Sequence, residues 1–266
     1  MLSSERSIRK EMASPDGLAE HVKAGRVRAI SRTITLLEAG NPVGREILRQ
    51  LGDSGGRSHA IGITGYPGAG KSTLIDRLIT AYRQQGKTVG VLAVDMSSPF
   101  TGGAILGDRI RMQDHALDKG VYVHSLATRG QRGGVSAATR DAVLVLDTAG
   151  FDIVLVETVG VGQGEMDIAE VAKTVVVVVA PGLGDEIQAM KAGLLEVAHI
   201  VVVNKADHDG AETTIQHLRD WHPCVLRTVA VKGEGIPELI AAIAHHQQAD
   251  PLPRHVSSQI IRQSLH

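Results

Sequence analysis

The stretch Gly65-Tyr66-Pro67-Gly68-Ala69-Gly70-Lys71-Ser72-Thr73 has the residue types and the spacing needed to hold a chain of phosphates. Its pattern is G-x-x-x-x-G-K-[ST], the phosphate-binding P-loop. Glycines let consecutive backbone N–H groups turn inward around phosphate oxygens. A helix starting behind the loop adds partial positive charge. Lys71 is expected to reach the β- and γ-phosphates, and Ser72 to ligate Mg²⁺. A second stretch, Asn204-Lys205-Ala206-Asp207, has the N-K-x-D pattern of a guanine reader. Asp207 can accept from guanine N1–H and the exocyclic amine, which adenine cannot offer together. Lys205 would lay its stem along the base, and Asn204 would tie loops together. Backbone N–H groups in Thr228-Val229-Ala230-Val231 are placed to meet the guanine oxygen.

Carboxylates come next. Asp95 follows an apolar run, where a strand tip would aim it at the Mg²⁺ shell. Asp108 opens a helical stretch and is either a neighbour of the metal or an ordinary charge at a helix N-terminus. Two segments compete to sense the γ-phosphate: Asp147-Thr148-Ala149-Gly150 and Glu157-Thr158-Val159-Gly160. They cannot end adjacent parallel strands, because parallel neighbours need a crossover of about a dozen residues or more. Only Phe151-Asp152 separates Gly150 from the run at Ile153. The expectation is therefore a helix from Val135 to Ala149 carrying Arg140, Asp141 and Asp147, a turn at Gly150, and Glu157 at a true strand tip. Pro181-Gly182-Leu183-Gly184-Asp185-Glu186 fits either a mobile loop beside the site or a plain surface turn.

These residues need a scaffold that brings loops to one edge. Apolar, β-branched runs supply it: Ala60–Thr64, Thr88–Val94, Val121–Ser125, Ile153–Glu157, Thr174–Ala180, Ile200–Asn204 and Val225–Thr228. Near-continuous Val/Ile runs mean strands buried on both faces. The expected fold is α/β, a P-loop NTPase with a mostly parallel sheet flanked by helices. Ligands in such sheets sit at the carboxyl ends of strands. A small N-terminal helical extension precedes it: a helix capped by Asp16 and ending at Gly25, one from Val27 to Ala39 with Val27, Ile30, Ile34 and Leu37 on one face, and one from Val43 to Leu51. The expected parts are an extension over 1–57, a GTP-binding domain over 58–246 and a tail over 247–266.

Composition removes several classes. Net charge is −1 and aromatics are 2%, so neither a polyanion partner nor base-stacking platforms for nucleic acid are expected. The single Cys224 excludes an intramolecular disulfide and a cysteine-rich zinc site, and fits a reducing cytoplasm. Twelve His invite a metal reading, but His222-Pro223-Cys224 is one pair, not a site. Met1 to Met12 is charged without an apolar core, so no secretory signal is read, and no run is long enough to span a bilayer.

Together, Gly65 to Thr73, Asp95 to Asp108, Glu157-Thr158-Val159-Gly160-Val161-Gly162-Gln163 and Pro181 to Gly193 resemble the MeaB/ArgK GTPases, relatives of the human methylmalonic aciduria type A protein. The similarity runs from about residue 18 to residue 240. It implies a GTPase using GTP/GDP and Mg²⁺. It also implies a partner, an adenosylcobalamin-dependent acyl-CoA mutase, whose cofactor loading the GTPase gates and which it protects. By resemblance, Asp95, Asp108 and Glu157 are the metal-shell and switch carboxylates. Asp185, Gln188 and Lys191 match a mobile loop that the mutase orders to raise a slow hydrolysis. Met96, Arg109 and Gly164 depart from the usual proline, lysine and serine. Family members form homodimers through a longer C-terminal arm. Here Pro251-Leu252-Pro253 breaks the last helix and little follows, so the expectation is that the usual homodimer is either not formed or built differently. Two other readings stay open: a metal-insertion GTPase of the hydrogenase or urease type, and an ArgK-type kinase of a transport system.

Overall fold

The computed structural model describes residues 14–52, 56–95, 115, 117–127, 137–158, 163–182 and 193–249. All seven expected strands form: β1 (His59–Gly65), β2 (Val89–Asp95), β3 (Val121–Ala127), β4 (Ile153–Thr158), β5 (Thr174–Val179), β6 (Ile200–Val203) and β7 (Val225–Arg227). They make one sheet in the order β3-β2-β4-β1-β5-β6-β7. Every neighbouring pair is parallel. The sheet is thus wholly parallel rather than mostly so. Ile63 of β1 and Ala93 of β2 both pair with Glu157 of β4, so the three strand tips that matter reach one edge in register.

Side chains alternate between two apolar layers. Ile61, Ile63, Val91, Leu155, Val176 and Val178 face helices α4 (Lys71–Gln84) and α8 (Ile236–Ala249). On the opposite face, α1 (Pro15–Lys23), α2 (Val27–Glu38), α3 (Pro42–Leu51) and α5 (Ala137–Thr148) share a core with Leu92, Val94, Val154 and Val156. The 3₁₀ segment Gln163–Glu170, α6 (Leu194–Val197) and α7 (Ala211–Arg219) cover the β5–β7 end of that face. Each fully buried Ile or Leu, such as Ile30 or Ile34, contributes roughly 2 kcal/mol of transfer free energy. The extension is held to the sheet by many such contacts.

Two details of the extension differ from expectation. Ser14, not Asp16, caps α1: its Oγ accepts from Gly17 N at 3.1 Å. Pro15 occupies the first helical position, where its missing N–H costs nothing, and this sets the cap one residue earlier. Asp16 instead accepts from Gln50 Nε2 at 2.6 Å and ties α1 to α3. Val27 is 55% exposed, because it is the first residue of α2 and lies outside the buried stripe of Ala29, Ile30, Thr33, Ile34 and Leu37.

The competition between the two carboxylate segments resolves as the crossover rule requires. Asp147 lies on α5, and Gly150, at φ +91°, turns the chain into β4. Asp147 plays a structural part. Its carboxylate accepts from Gly56 N and, at 2.8 Å, from Ser58 N, fixing the approach to β1.

At the opposite end of the sheet, His59 Nε2 lies 2.8 Å from Thr174 Oγ1, which lies 2.9 Å from His246 Nδ1 on α8. His59 is 2% exposed. Burial first, then the charge of Lys173 and the neighbouring His246, pushes its pKa down from 6.5 to about 4. The folded-state value lies below the unfolded one, so acid protonates the unfolded chain first. The His59 contribution is therefore complete above pH 6.5 and is lost as pH falls towards 4. Between pH 7 and pH 5 this amounts to about 2 kcal/mol. Urea unfolding at the two pH values should show that loss in the native chain and its disappearance in His59→Gln.

Candidate functional site

The loop between β1 and α4 is built by glycines where no other residue fits. Gly65 is at φ +128°, and a Cβ there would lie 2.0 Å from the Val178 carbonyl oxygen. Gly70 is at φ +94°, and a Cβ there would lie 2.4 Å from Asn204 Nδ2. The loop therefore lies directly on β5 on one side and on the base-side motif on the other. Lys71 is the first residue of α4, so the positive end of that helix opens beneath the loop. Lys71 Nζ donates to the Gly65 carbonyl at 2.8 Å and to the Tyr66 carbonyl at 3.1 Å, which holds the ammonium over the loop. Pro67, Gly68, Thr73 and Lys205 help line a cavity of about 450 Å³ around it. Ala69 is buried, and its N–H donates to the Tyr66 carbonyl at 3.2 Å.

Ser72 Oγ donates to Glu157 Oε1 at 2.8 Å, with both residues buried. Thr158 Oγ1 donates to Thr64 Oγ1 at 2.8 Å, which fixes the tip of β4 against β1. A hydroxyl and a carboxylate, both hard oxygen donors and already together at the helix N-terminus, fit Mg²⁺, which takes few protein ligands and keeps several waters. Asp95 ends β2 one residue beyond the Val94–Thr158 pair, at the same edge. Its side chain, and all of Asp108, Asp185, Gln188 and Lys191, lie outside the described residues, as do Met96 and Arg109.

On the base side, Asn204 does what its spacing implies. Its Nδ2 donates to the Ala69 carbonyl at 2.8 Å. Its Oδ1 accepts from Thr228 Oγ1 at 3.1 Å and from Ala230 N at 3.0 Å. One buried amide thus joins the phosphate loop to the segment after β7. Lys205 takes φ +57°, the single left-handed non-glycine residue among the described ones, and this turns it onto the cavity wall. Asp207 is exposed and its Oδ2 lies 3.0 Å from Lys232 Nζ. Of the three residues expected near the guanine oxygen, Val229 gives its N–H to the Glu234 carbonyl and Ala230 gives its own to Asn204. Val231 is 67% exposed.

Two participants carry no motif. Arg77, within α4, donates from Nε to the Ala230 carbonyl at 3.1 Å and from Nη2 to the Val231 carbonyl at 3.0 Å. Lys232 meets Asp207 across the fold. Neither residue carried a signal in the sequence: Arg77 lies beside the apolar stripe of Leu74, Ile75, Leu78, Ile79 and Tyr82 rather than on it. His222 is structural: Cys224 N donates to its Nδ1 at 3.1 Å, and its Nε2 lies 3.2 Å from the Ala198 carbonyl.

Comparison with known proteins fixes the class. The family model described as methylmalonyl-CoA mutase-associated GTPase MeaB matches residues 30–252. The chain belongs to that family. A protein of Pyrococcus abyssi, named as an inferred GTPase, is 50% identical over 88% of this chain and 76% of its own length. The mitochondrial methylmalonic aciduria type A homolog of Mus musculus is 35% identical over 86% of this chain and 62% of its own length. A crystal structure described as an LAO/AO transport system kinase superposes with a TM-score of 0.71 at 28% identity, covering 90% of this chain and 76% of that one. As a member of the MeaB GTPase family, the chain is a guanine-nucleotide-binding protein of the P-loop fold. Among the described residues, no helix is long and apolar enough to cross a membrane.

Proposed function

We propose that this MeaB-family GTPase is a chaperone. It binds and slowly hydrolyses GTP to gate adenosylcobalamin loading of a cobalamin-dependent acyl-CoA mutase, methylmalonyl-CoA mutase or a close relative, and it protects that enzyme. The observation that carries this reading is the Ser72–Glu157 contact. It joins the phosphate-binding helix to the tip of β4, from which the chain runs into the specific Glu157–Gln163 string. A change at the γ-phosphate is therefore passed to a segment that a partner can read. The family's description and the mouse relative's name support the mutase as that partner.

Lys71 exchanges its carbonyl partners for phosphate oxygens, and the N–H groups of the loop and of α4 stabilise charge on the transferring phosphoryl group. Ser72, Asp95, Asp108 and Glu157 would hold Mg²⁺, which supplies neutralisation of the β- and γ-phosphate oxygens. Asp185, Gln188 and Lys191 form the loop that the mutase orders to speed hydrolysis. Asp207 reads the guanine edge, Lys205 backs the base, and Asn204 holds the two halves in register.

The kinase reading draws on the description of the LAO/AO structure. It differs in the fate of the γ-phosphate, which would end on a transport protein. A pull-down from native lysate, with GDP and with a non-hydrolysable GTP analogue, separates the readings. Recovery of a cobalamin-dependent mutase in a nucleotide-dependent manner is the expected result. Recovery of a hydrogenase or urease component, or of a transport protein that becomes labelled from γ-labelled GTP, would overturn the proposal.

A further inference from the structure

The contact between Lys232 and Asp207 has a use that stability does not explain. Nζ and Oδ2 are 3.0 Å apart, with the side chains 54% and 33% exposed. Exposed ion pairs contribute little to folding. The backbone under Lys232, by contrast, is firmly held. Lys232 closes the 3₁₀ turn Ala230–Lys232. Asn204 Oδ1 fixes the first N–H of that turn, and Arg77 fixes the Ala230 and Val231 carbonyls from the phosphate-binding helix. Lys232 N donates to the Val229 carbonyl, and Gly233, at φ +76°, donates to the Ala230 carbonyl. Val229 and Glu234 pair as an antiparallel bridge beneath it. The held turn fixes where the Lys232 stem begins, and the contact with Asp207 orders its ammonium end.

We propose that Lys232 is a specificity-determining positioning residue that holds the Asp207 carboxylate in the orientation that reads guanine. The proposal rests on Asp207 being the acceptor for the guanine edge. A carboxylate offers two oxygens with two acceptor directions each. Lys232 occupies one direction on Oδ2. The backbone N–H of Asp207 itself takes a second direction, and two remain for the N1–H and exocyclic amine of guanine. The terminal torsion of an aspartate is broad, so without the Lys232 contact the carboxylate plane swings and must be ordered on binding. The contact also keeps both partners charged: hydrogen bonding to Lys232 lowers the Asp207 pKa, and hydrogen bonding to Asp207 raises that of Lys232. Arg77 extends the link, so the base reader and the phosphate-binding helix share one rigid turn.

The test compares affinities for GDP and inosine diphosphate, which lacks the exocyclic amine, in the intact native chain, Lys232→Met and Asp207→Ala. Lys232→Met should weaken GDP about fivefold, the upper range for an exposed pair, with inosine diphosphate less affected. The preference for GDP then shrinks while the melting temperature stays put. Asp207→Ala should weaken GDP about 100-fold or more and abolish the preference. If Asp207→Ala keeps the native preference, Asp207 does not read the base and the underlying assignment fails. If that preference collapses in Asp207→Ala but Lys232→Met keeps it, weakens both nucleotides equally or tightens GDP, the role of Lys232 is overturned and the base site stands.

Discussion

Lys71→Ala should lower GTP hydrolysis about 1,000-fold, because one residue carries both ground-state and transition-state charge. In the native chain Lys71 is 8% exposed and its ammonium donates to the Gly65 and Tyr66 carbonyls. It is thus already placed over the loop before phosphate arrives, and little reorganisation is needed to shift it onto phosphate oxygens. Removing a single preorganised donor to developing charge typically costs about 100- to 1,000-fold in rate. A full positive charge on a residue as buried as Lys71 belongs at the upper end of that range. Lys71→Arg should not rescue the loss, since a planar fork does not replace a compact ammonium at a site enclosed by Gly65, Tyr66 and α4. Release of free phosphate under saturating GTP measures both variants. The fold should survive, because the apolar contacts of α4, through Leu74, Ile75, Leu78 and Ile79, are untouched.

Asn204→Ala should damage stability and binding together. The amide is 2% exposed and serves three buried partners: the Ala69 carbonyl, Thr228 Oγ1 and Ala230 N. Truncation leaves those groups without their bonds in a site too enclosed for easy hydration. Each such group costs about 1–3 kcal/mol, so an overall loss of roughly 3 kcal/mol or more is expected. The phosphate loop and the base-side turn also lose the side chain that bonds to both, and GDP affinity should fall about 100-fold. Asn204→Asp is expected to fare little better. It keeps both acceptor contacts but sets a carboxylate against the Ala69 carbonyl. Urea unfolding and nucleotide titration on the same samples check both effects.

The sequence carried the sheet and the phosphate loop because their signals are local. Val/Ile runs such as Thr174–Val179 can satisfy their side chains only as strands buried on both faces. Gly65 and Gly70 stand where a Cβ would strike Val178 and Asn204. Choosing Glu157 over Asp147 needed only the length of a crossover. What was not legible arises from tertiary placement. Whether Asp16 or Ser14 caps α1 depends on which residue meets Gly17 N and on whether Gln50 comes near. The exposure of Val27 depends on how α2 lies on the sheet. Arg77 and Lys232 belong to no motif; they join the site because α4 and the turn after β7 pass each other. The His59–Thr174–His246 chain links three distant segments that share no pattern.

The most direct measurement is the rate of free phosphate release from GTP by the native chain and by Lys71→Ala, alone and with a cobalamin-dependent acyl-CoA mutase from the same source. The native chain alone should release phosphate slowly. With the mutase, release should be at least about tenfold faster, which is about 1.4 kcal/mol of barrier. Lys71→Ala should stay near background in both cases. Native release that the mutase leaves unchanged, or normal hydrolysis by Lys71→Ala, would contradict a mutase-gated GTPase.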